Sequence, residues 1–206
     1  MSFQAVIFDL GGVVLGSPLH AIAHYEKELG IKAGAVNRVV ASTGEAGAWS
    51  KLERGIFDLE EFFPAFEKDC AAAGFTISAS TMFERMAVES APRPTMLRAI
   101  ERLREEGLRT AALTNNWATG DPGPNPLRPH FDEFVESAIE GLQKPDPRIY
   151  ELVLGRLGVT AEQSVFLDDI GRNLKTARAM GMTTIKVDDP VEALSALQDQ
   201  VGFSLS

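Results

Sequence analysis

Residues 5–14 read Ala-Val-Ile-Phe-Asp-Leu-Gly-Gly-Val-Val, and this stretch decides the fold. Four apolar residues in a row, followed by an aspartate and a glycine pair, are typical of a strand that is buried on both faces and ends in a tight loop. We place the first strand over the apolar runs at residues 4–8 and 13–15. Asp9 therefore falls where a buried strand ends.

Strands and helices alternate from about residue 91 to the C-terminus. Each helix ends near a glycine that suits the left-handed position after a helix. Strands separated by helices of this length form right-handed crossover units, which predicts a parallel sheet with helices on both faces. The predicted strands are 109–113, 134–138, 164–167 and 183–187, and the predicted helices are 95–106, 146–157, 171–180 and 190–200.

Residues 16–90 have a different character, with apolar residues at helical spacing and no convincing strand. The clearest helical segments are 21–29, 59–73 and 81–88. Pro92 and Pro94 then mark a boundary, because proline disfavours helix before itself and tolerates a helix start after itself. We predict an α/β, Rossmann-like core made of residues 1–15 and 91–206, with a small helical domain, residues 16–90, inserted after the first strand.

The amino-acid composition indicates which binding partners and which cellular compartment to expect. The 206 residues carry 20 Lys and Arg against 29 Asp and Glu, and the net charge of −9 argues against nucleic acid or an anionic membrane as a partner. Cys70 is the only cysteine, so a disulfide framework is excluded. The chain has no signal-like N-terminus and no apolar run near the ~20 residues that span a bilayer. We expect a cytoplasmic protein, monomeric or homodimeric.

Charged and hydroxyl side chains follow the predicted strands. Asp9, Thr114 and the pair Asp168-Asp169 stand at carboxyl ends of strands, where parallel sheets bind their ligands. An aspartate there can attack phosphorus and form an aspartyl phosphate that water later hydrolyses. Positive charge is needed to bring two anions together, and Lys144 and a Mg²⁺ ion held by carboxylates would supply it.

Other groups in the motifs can donate hydrogen bonds to the phosphoryl oxygens. The Thr114 hydroxyl, the Asn115 side chain and the backbone N–H groups of Gly11 and Gly12 are expected to hold these oxygens as their charge redistributes. The irregular segment 117–129, with four prolines and two glycines, is predicted to cross the same edge of the sheet.

In its four motifs the chain resembles the haloacid dehalogenase superfamily. The motifs lie at residues 9–13, 113–116, 144–145 and 168–169. The resemblance implies that Asp9 is the nucleophile and a Mg²⁺ ligand, that the backbone carbonyl of Gly11 and the Asp169 carboxylate complete the metal site with Asp168 beside it, and that Lys144 stabilises the phosphoryl charge. It also implies that residues 16–90 form a cap that closes over the site and selects the substrate.

Four longer segments look like the N-terminal phosphatase domain of bifunctional soluble epoxide hydrolases. They are residues 113–117, 130–132, 144–150 and 166–175. We expect no epoxide hydrolysis from these 206 residues, since one predicted core and one predicted cap account for them.

One expected carboxylate is missing. In the typical phosphatase of this superfamily the residue two positions after the nucleophile is an aspartate that protonates the leaving group, whereas here it is Gly11. Such general acid catalysis accelerates a reaction by roughly 10² to 10⁴. Candidate substitutes are His20, His24, Glu53 and Asp58, each of which we expect to be solvated.

We predict structural roles for several other side chains near the motifs. Trp117 and Phe131 are predicted to pack or to line a lid, and Arg172 and Lys175 to lie on a solvated helix face. Trp49 remains open between a core position and a substrate contact.

Three functions fit these residues. The first is a Mg²⁺-dependent phosphatase that cleaves a small phosphomonoester through an aspartyl phosphate. The second is a carbon–halogen hydrolase, which is disfavoured because such relatives carry an aromatic residue at the position of Gly11 and need no paired metal-binding acids. The third is a protein that binds a phosphorylated metabolite without turning it over.

Overall fold

The computed structural model describes residues 3–118 and 125–205. At its centre lies a five-stranded sheet in the order β3-β2-β1-β4-β5, and every pair of neighbouring strands is parallel. The predicted α/β, Rossmann-like architecture is confirmed. The strands are β1 (Ala5–Phe8), β2 (Arg109–Thr114), β3 (Glu133–Glu136), β4 (Ser164–Asp168) and β5 (Thr183–Lys186).

Helices cover both faces of the sheet and fill the stretch between β1 and β2. Positive φ angles at Gly107, Gly158 and Gly181 end three of the core helices where the sequence predicted. The helices are α1 (Pro18–Glu28), α2 (Ala35–Thr43), α3 (Ala48–Glu53), α4 (Leu59–Ala72), α5 (Ala79–Glu89), α6 (Pro94–Glu105), α7 (Ser137–Glu140), α8 (Pro147–Leu157), α9 (Gly171–Ala179) and α10 (Pro190–Val201).

The alternation of side chains along β1 supplies two apolar cores. Val6 and Phe8 point to the layer of α6 and α10, whereas Ala5 and Ile7 point to the layer of α8 and α9. All four side chains are fully buried. β1 is therefore fixed from both sides, and the residue that follows it has little freedom to move.

The prediction that the first strand includes residues 13–15 is wrong. Residues 10–14 form a helical turn closed by a hydrogen bond from the Leu15 N–H to the Leu10 carbonyl. Gly12 adopts a φ of +79° within it, which interrupts the extended backbone. Val13 and Val14 are apolar because they are buried in the core layer, and a buried turn has the same apolar signature as a buried strand.

Helices α1 to α5 form a helical insertion with an apolar cluster of its own. Phe62 and Phe66 are fully buried there and stack at 5.2 Å between ring centroids. Trp49 packs on Phe66 at 5.3 Å. The sequence predicted the segments of α1, α4 and α5, whereas α2 and α3 were not singled out.

Two chain segments that cross at Gly16 connect the insertion to the sheet. The Gly16 N–H donates to the Ala91 carbonyl at 3.1 Å, and the Arg93 N–H donates to the Val14 carbonyl at 2.8 Å. A side chain at Gly16 would place its Cβ 1.7 Å from the Glu89 carbonyl oxygen. Backbone thus packs directly on backbone at this crossing.

The predicted irregular loop is described only in part. Its residues 119–124 lie outside the described residues, and Arg128–His130 form a short 3₁₀ turn. Among the described helices, none has both the length and the apolar character that a membrane span requires.

We expect Gly16→Ala to lower the free energy of unfolding by about 1–3 kcal/mol, because its methyl group would overlap the Glu89 carbonyl. Gly155→Ala is the matched control: Gly155 is exposed within α8, has no neighbouring atom within 4 Å of a Cβ, and should gain about 0.4–1 kcal/mol. Urea unfolding of both variants measures the difference. Equal stabilities would contradict the crowding at this crossing.

Candidate active site

Three neighbouring strands bring the motif residues to one edge of the sheet. β1 lies between β2 and β4, so Asp9, Thr114 and Asp168 are adjacent at the carboxyl ends. The chain runs from β1 outward through β2 to β3 and then returns on the other side with β4. Such a reversal of strand order opens the crevice in which parallel sheets bind ligands.

Lys144 lies at the centre of this edge. Its Nζ lies 2.9 Å from Asp9 Oδ1 and 2.7 Å from Asp168 Oδ2. The residue is fully buried, and its ammonium stands 5.5 Å from the centroid of the Phe166 ring. A buried ammonium is tolerated only with such partners, so the two carboxylates and the lysine fix one another.

The Asn115 side chain positions the backbone of Lys144. Asn115 Oδ1 accepts from the Lys144 N–H at 2.8 Å, and its Nδ2 donates to the Lys144 carbonyl at 3.0 Å. The amide is therefore engaged with protein, and a contact between this side chain and phosphate stays a prediction. Among residues 3–118 and 125–205, the Thr114 hydroxyl makes one long hydrogen bond, at 3.4 Å, to the Asn115 carbonyl.

Asp168 is fully buried and saturated with donors. Besides Lys144, it accepts from the Ile170 N–H at 2.7 Å and from Asn173 Nδ2 at 3.2 and 3.0 Å. Both of its oxygens are thus occupied by protein. The sequence analysis did not single out Asn173 for this part, although its position five residues after Asp168, at the start of a predicted helix, was a usable signal.

Asp169 fits against the loop after β1 because Gly12 has no side chain. A Cβ on Gly12 would lie 2.2 Å from Asp169 Oδ2. The loop is also held by Arg93, whose Nη1 donates to the carbonyls of Gly12 and Val13 at 2.7 and 2.9 Å. No motif in the sequence pointed to Arg93.

Asp9, Asp168 and Asp169 form a cluster in which one carboxylate oxygen from each lies within 4.8 Å of the others. Such an all-oxygen donor set fits a hard divalent cation such as Mg²⁺. Among the described residues, no other residue donates a hydrogen bond to the Asp169 carboxylate, which leaves its oxygens available as ligands. The gap that Gly12 provides for this carboxylate supports the same fit.

Burial raises the pKa values of two carboxyl groups at this edge, Asp9 and Asp169. Burial raises the pKa of Asp9 to about 8, against the opposing effect of Lys144 and with a further rise caused by Asp168. Burial and the charge of Asp168 raise the pKa of Asp169 to about 6. Burial by itself lowers the pKa of Lys144, but the neighbouring Asp168 and Asp9 carboxylates outweigh it and the net shift is upward.

Gly11 is extended, with φ −63° and ψ 124°, a conformation open to any residue. A Cβ there would stand 3.3 Å from Pro18 Cδ, the first residue of α1. The N–H of Gly12 donates to the Gly16 carbonyl at 3.1 Å, so it is already engaged. The predicted contact between this N–H and phosphate therefore remains a prediction.

A cavity of about 420 Å³ opens between the sheet edge and the helical insertion. Asp9, Lys144 and Asp169 line it on one side, and the apolar side chains of Leu19, Ile22, Val40 and Trp49 line it on the other. Trp49 thus takes part both in the apolar cluster of the insertion and in the cavity wall.

Glu53, the last residue of α3, also lines this cavity, and our expectation that it is solvated is wrong. It is 9% exposed and accepts hydrogen bonds from Trp49 Nε1 at 2.9 Å and from Asn115 Nδ2 at 3.2 Å. Burial raises the pKa of its carboxyl. The sequence missed this burial because the core face that covers Glu53 comes from residues far along the chain.

The other candidate substitutes for the missing acid are on the surface, as expected. His20 and His24 are exposed, and Asp58 caps the N-terminus of α4 by accepting from the Glu61 N–H at 2.8 Å. Arg172 is exposed as predicted, yet it borders the cavity as well.

The two predicted packing aromatics do pack. Trp117 stands 4.8 Å from Phe83 of the insertion, measured between ring centroids. Phe131 lies in the core 6.3 Å from Phe8.

The model of the haloacid dehalogenase-like hydrolases matches residues 3–181. The chain is 37% identical over 209 residues to acyl-CoA dehydrogenase family member 10 of Mus musculus, which covers 99% of this chain and 20% of that protein. It is 34% identical over 221 residues to bifunctional epoxide hydrolase 2 of Sus scrofa, a match that covers 100% of this chain and 40% of that protein. The chain thus spans less than half the length of these relatives. It is 27% identical to the sesquiterpene phosphatase astK of Aspergillus oryzae, with 98% of both chains covered.

Solved structures share the fold. A HAD-like family hydrolase of Porphyromonas gingivalis superimposes with a TM-score of 0.69 at 21% identity, over 96% of this chain and 98% of that one. A HAD family enzyme of Bacteroides thetaiotaomicron, in complex with magnesium and inorganic phosphate, gives a TM-score of 0.63 at 19% identity, over 90% and 94%. At 19–21% sequence identity, these structural similarities establish a shared fold only.

We expect Lys144→Met to lower the free energy of unfolding by about 3–5 kcal/mol at neutral pH without metal, because Asp9 and Asp168 would lose the ammonium that they share. The matched control, Lys175→Met, replaces an exposed lysine and should change it by less than about 0.5 kcal/mol. Guanidinium unfolding compares the two. A Lys144→Met protein as stable as the control would contradict the central position of this lysine.

We also expect the metal-free wild type to lose stability relative to Asp9→Asn as the pH rises from about 4 to about 8. A carboxyl with a raised pKa binds its proton more tightly in the folded than in the unfolded chain, so removing the proton in this range disfavours folding. The slope for one proton is at most about 1.4 kcal/mol per pH unit. Urea unfolding over this range, with the exposed Asp188→Asn as control, measures it. Parallel curves for wild type and Asp9→Asn would contradict the raised pKa.

Proposed function

The chain belongs to the haloacid dehalogenase-like hydrolases, and from this we propose that it is a Mg²⁺-dependent phosphatase that cleaves a small phosphomonoester through an aspartyl phosphate on Asp9. One observation carries the proposal: a buried aspartate, paired with a buried lysine, stands beside two further carboxylates at the wall of a cavity. A phosphatase relative that covers 98% of the chain supports it.

The proposed domains follow from the helical insertion. Residues 1–15 and 91–206 would be the core, and residues 16–90 the cap that covers the cavity. Cytoplasmic location, a phosphorylated small-molecule substrate and a monomeric or homodimeric state belong to the same proposal.

Mg²⁺ would be held by the carboxylates of Asp9 and Asp169 and by the backbone carbonyl of Gly11. The sequence predicted Asp168 as a metal ligand or as a support for the ligands. We assign it the supporting role, because Lys144 and Asn173 already donate hydrogen bonds to its oxygens. When bound, the ion offsets the charge of the phosphate and of the carboxylates.

The protein groups around Asp9 orient its attack. Asp9 Oδ1 accepts from the Leu10 N–H at 2.7 Å and from Lys144, which fixes the carboxylate plane. Among the described residues, none donates to Oδ2, so this oxygen is the one we assign to attack phosphorus. Lys144 would stabilise the charge of the phosphoryl group, and the Thr114 hydroxyl and Gly11 backbone would bind its oxygens.

The cavity limits the size and the polarity of the proposed substrate. A volume of about 420 Å³ accommodates a small phosphorylated molecule, and the apolar wall formed by Leu19, Ile22, Val40 and Trp49 faces the part that is not phosphate.

We expect the purified protein to hydrolyse p-nitrophenyl phosphate with Mg²⁺ and to lose this activity with a chelator. Asp9→Asn should lower turnover by more than about 10³-fold, because it removes the nucleophile. Asp188→Asn, the same substitution at an exposed site, should leave it unchanged. After acid quenching, mass spectrometry of the wild type should find one phosphoryl group on Asp9.

Two other outcomes would replace the proposal. Asp9-dependent release of chloride from short 2-haloacids without metal would assign carbon–halogen hydrolysis. Tight binding of inorganic phosphate, with no turnover of any phosphomonoester, would assign a binding protein.

A further inference from the structure

Glu53 is a buried acid that faces the cavity from the helical insertion. The same cavity is lined by Asp9 and Lys144 from the sheet edge, so Glu53 and the nucleophile share one enclosed volume. Both Glu53 oxygens accept a hydrogen bond, Oε1 from Trp49 and Oε2 from Asn115. These two donors fix the direction of the carboxyl group.

The surroundings keep a proton on Glu53 at higher pH than is usual for glutamate. Burial raises the pKa of Glu53, while the Trp49 hydrogen bond and the charges of Arg172 and Lys144 oppose the rise. Asp9 and Asp169 also line this cavity. A cavity-lining carboxyl group whose pKa is raised in this way is suited to general acid catalysis.

We propose that Glu53 is the general acid and base of this site and replaces the carboxylate that is missing at Gly11. The inference rests on the phosphatase function proposed above. The structure favours Glu53 over the alternatives because His20, His24 and Asp58 are exposed.

In the first step Asp9 Oδ2 attacks phosphorus, a bond forms between this oxygen and phosphorus, and the bond from phosphorus to the ester oxygen breaks. The departing oxygen takes the proton of Glu53 and leaves as an alcohol. In the second step Glu53, now a carboxylate, takes a proton from water as the water oxygen attacks phosphorus. The bond from phosphorus to Asp9 Oδ2 breaks, inorganic phosphate leaves, Asp9 is again a carboxylate, and Glu53 is again a carboxylic acid.

If Glu53 has a purely structural role, its substitution should affect different esters equally. Its contact with Asn115 joins the insertion to the core, and Ser50 makes a comparable bridge, with its Oγ donating to Gln143 Oε1 at 3.0 Å. Loss of a bridge would slow the hydrolysis of all esters alike. Loss of an acid slows most the esters whose alcohol leaves poorly without a proton.

The test compares hexyl phosphate, which has a poor leaving group, with p-nitrophenyl phosphate, which has a good one. In Glu53→Gln we expect kcat/KM for hexyl phosphate to fall by about 10²-fold or more, and that for p-nitrophenyl phosphate by less than about tenfold. With hexyl phosphate the fall in rate at high pH should also disappear in the variant. Ser50→Ala, the matched control, should affect both esters equally.

A second variant covers the case in which glutamine disturbs the Trp49 and Asn115 contacts. Glu53→Ala leaves space for a small acid, and added acetate should restore hexyl phosphate hydrolysis in it but not in Ser50→Ala. Equal losses on both esters together with no acetate rescue would overturn the proposal and leave Glu53 a bridge.

The two proposals fail separately. Asp9-dependent turnover by the wild type with unchanged ester selectivity in Glu53→Gln sinks only the inference about Glu53. A wild type that hydrolyses neither ester sinks the phosphatase function and this inference with it.

Discussion

The whole site depends on a single buried ammonium group. Lys144 is fully enclosed, and its charge is tolerated only because Asp9 and Asp168 approach it to within 3 Å. The elements around the lysine supply its partners, since β1 and β4 deliver the two carboxylates and Asn115 fixes the lysine backbone from the end of β2. Burial is the main reason that the pKa of Asp9 is raised, and the Asp168 carboxylate raises it further. A divalent cation bound at the three carboxylates would offset their negative charge.

The helical insertion completes the site as well as covering it. The sheet edge supplies Asp9, the proposed nucleophile, and the buried Lys144, whereas Glu53, which lines the same cavity, comes from α3. The two parts touch at Gly55, where a Cβ would lie 2.3 Å from the Ala138 carbonyl oxygen, and at the bridges formed by Glu53 and Ser50. If Glu53 supplies the proton, the complete chemistry exists only while the insertion is seated on the core, which links covering the substrate to reacting with it.

Local sequence pattern predicted the sheet and the positions of Asp9, Thr114 and Asp168, because buried parallel strands leave a clear apolar signature and their ends fall on one edge. It misread residues 13–15, since a buried turn and a buried strand are equally apolar. It placed Glu53 in solvent because glutamate side chains are usually exposed. Its hydrogen-bond donor Asn115 lies 62 residues further along the chain, where local pattern cannot show the contact. Arg93 escaped notice for a similar reason, as its carbonyl partners lie some eighty residues earlier.

The close approach of Gly11 to Pro18 ties the turn after β1 to the helix that begins the insertion. The backbone at Gly11 accepts any residue, yet a Cβ there would press on the proline ring at 3.3 Å. An aspartate could enter this position comfortably only if residue 18 or the start of α1 shifted at the same time. A side chain at residue 11 is thus accommodated by a movement of a few tenths of an ångström at Pro18, so any acid at this position would change how the first helix of the insertion sits on the sheet edge.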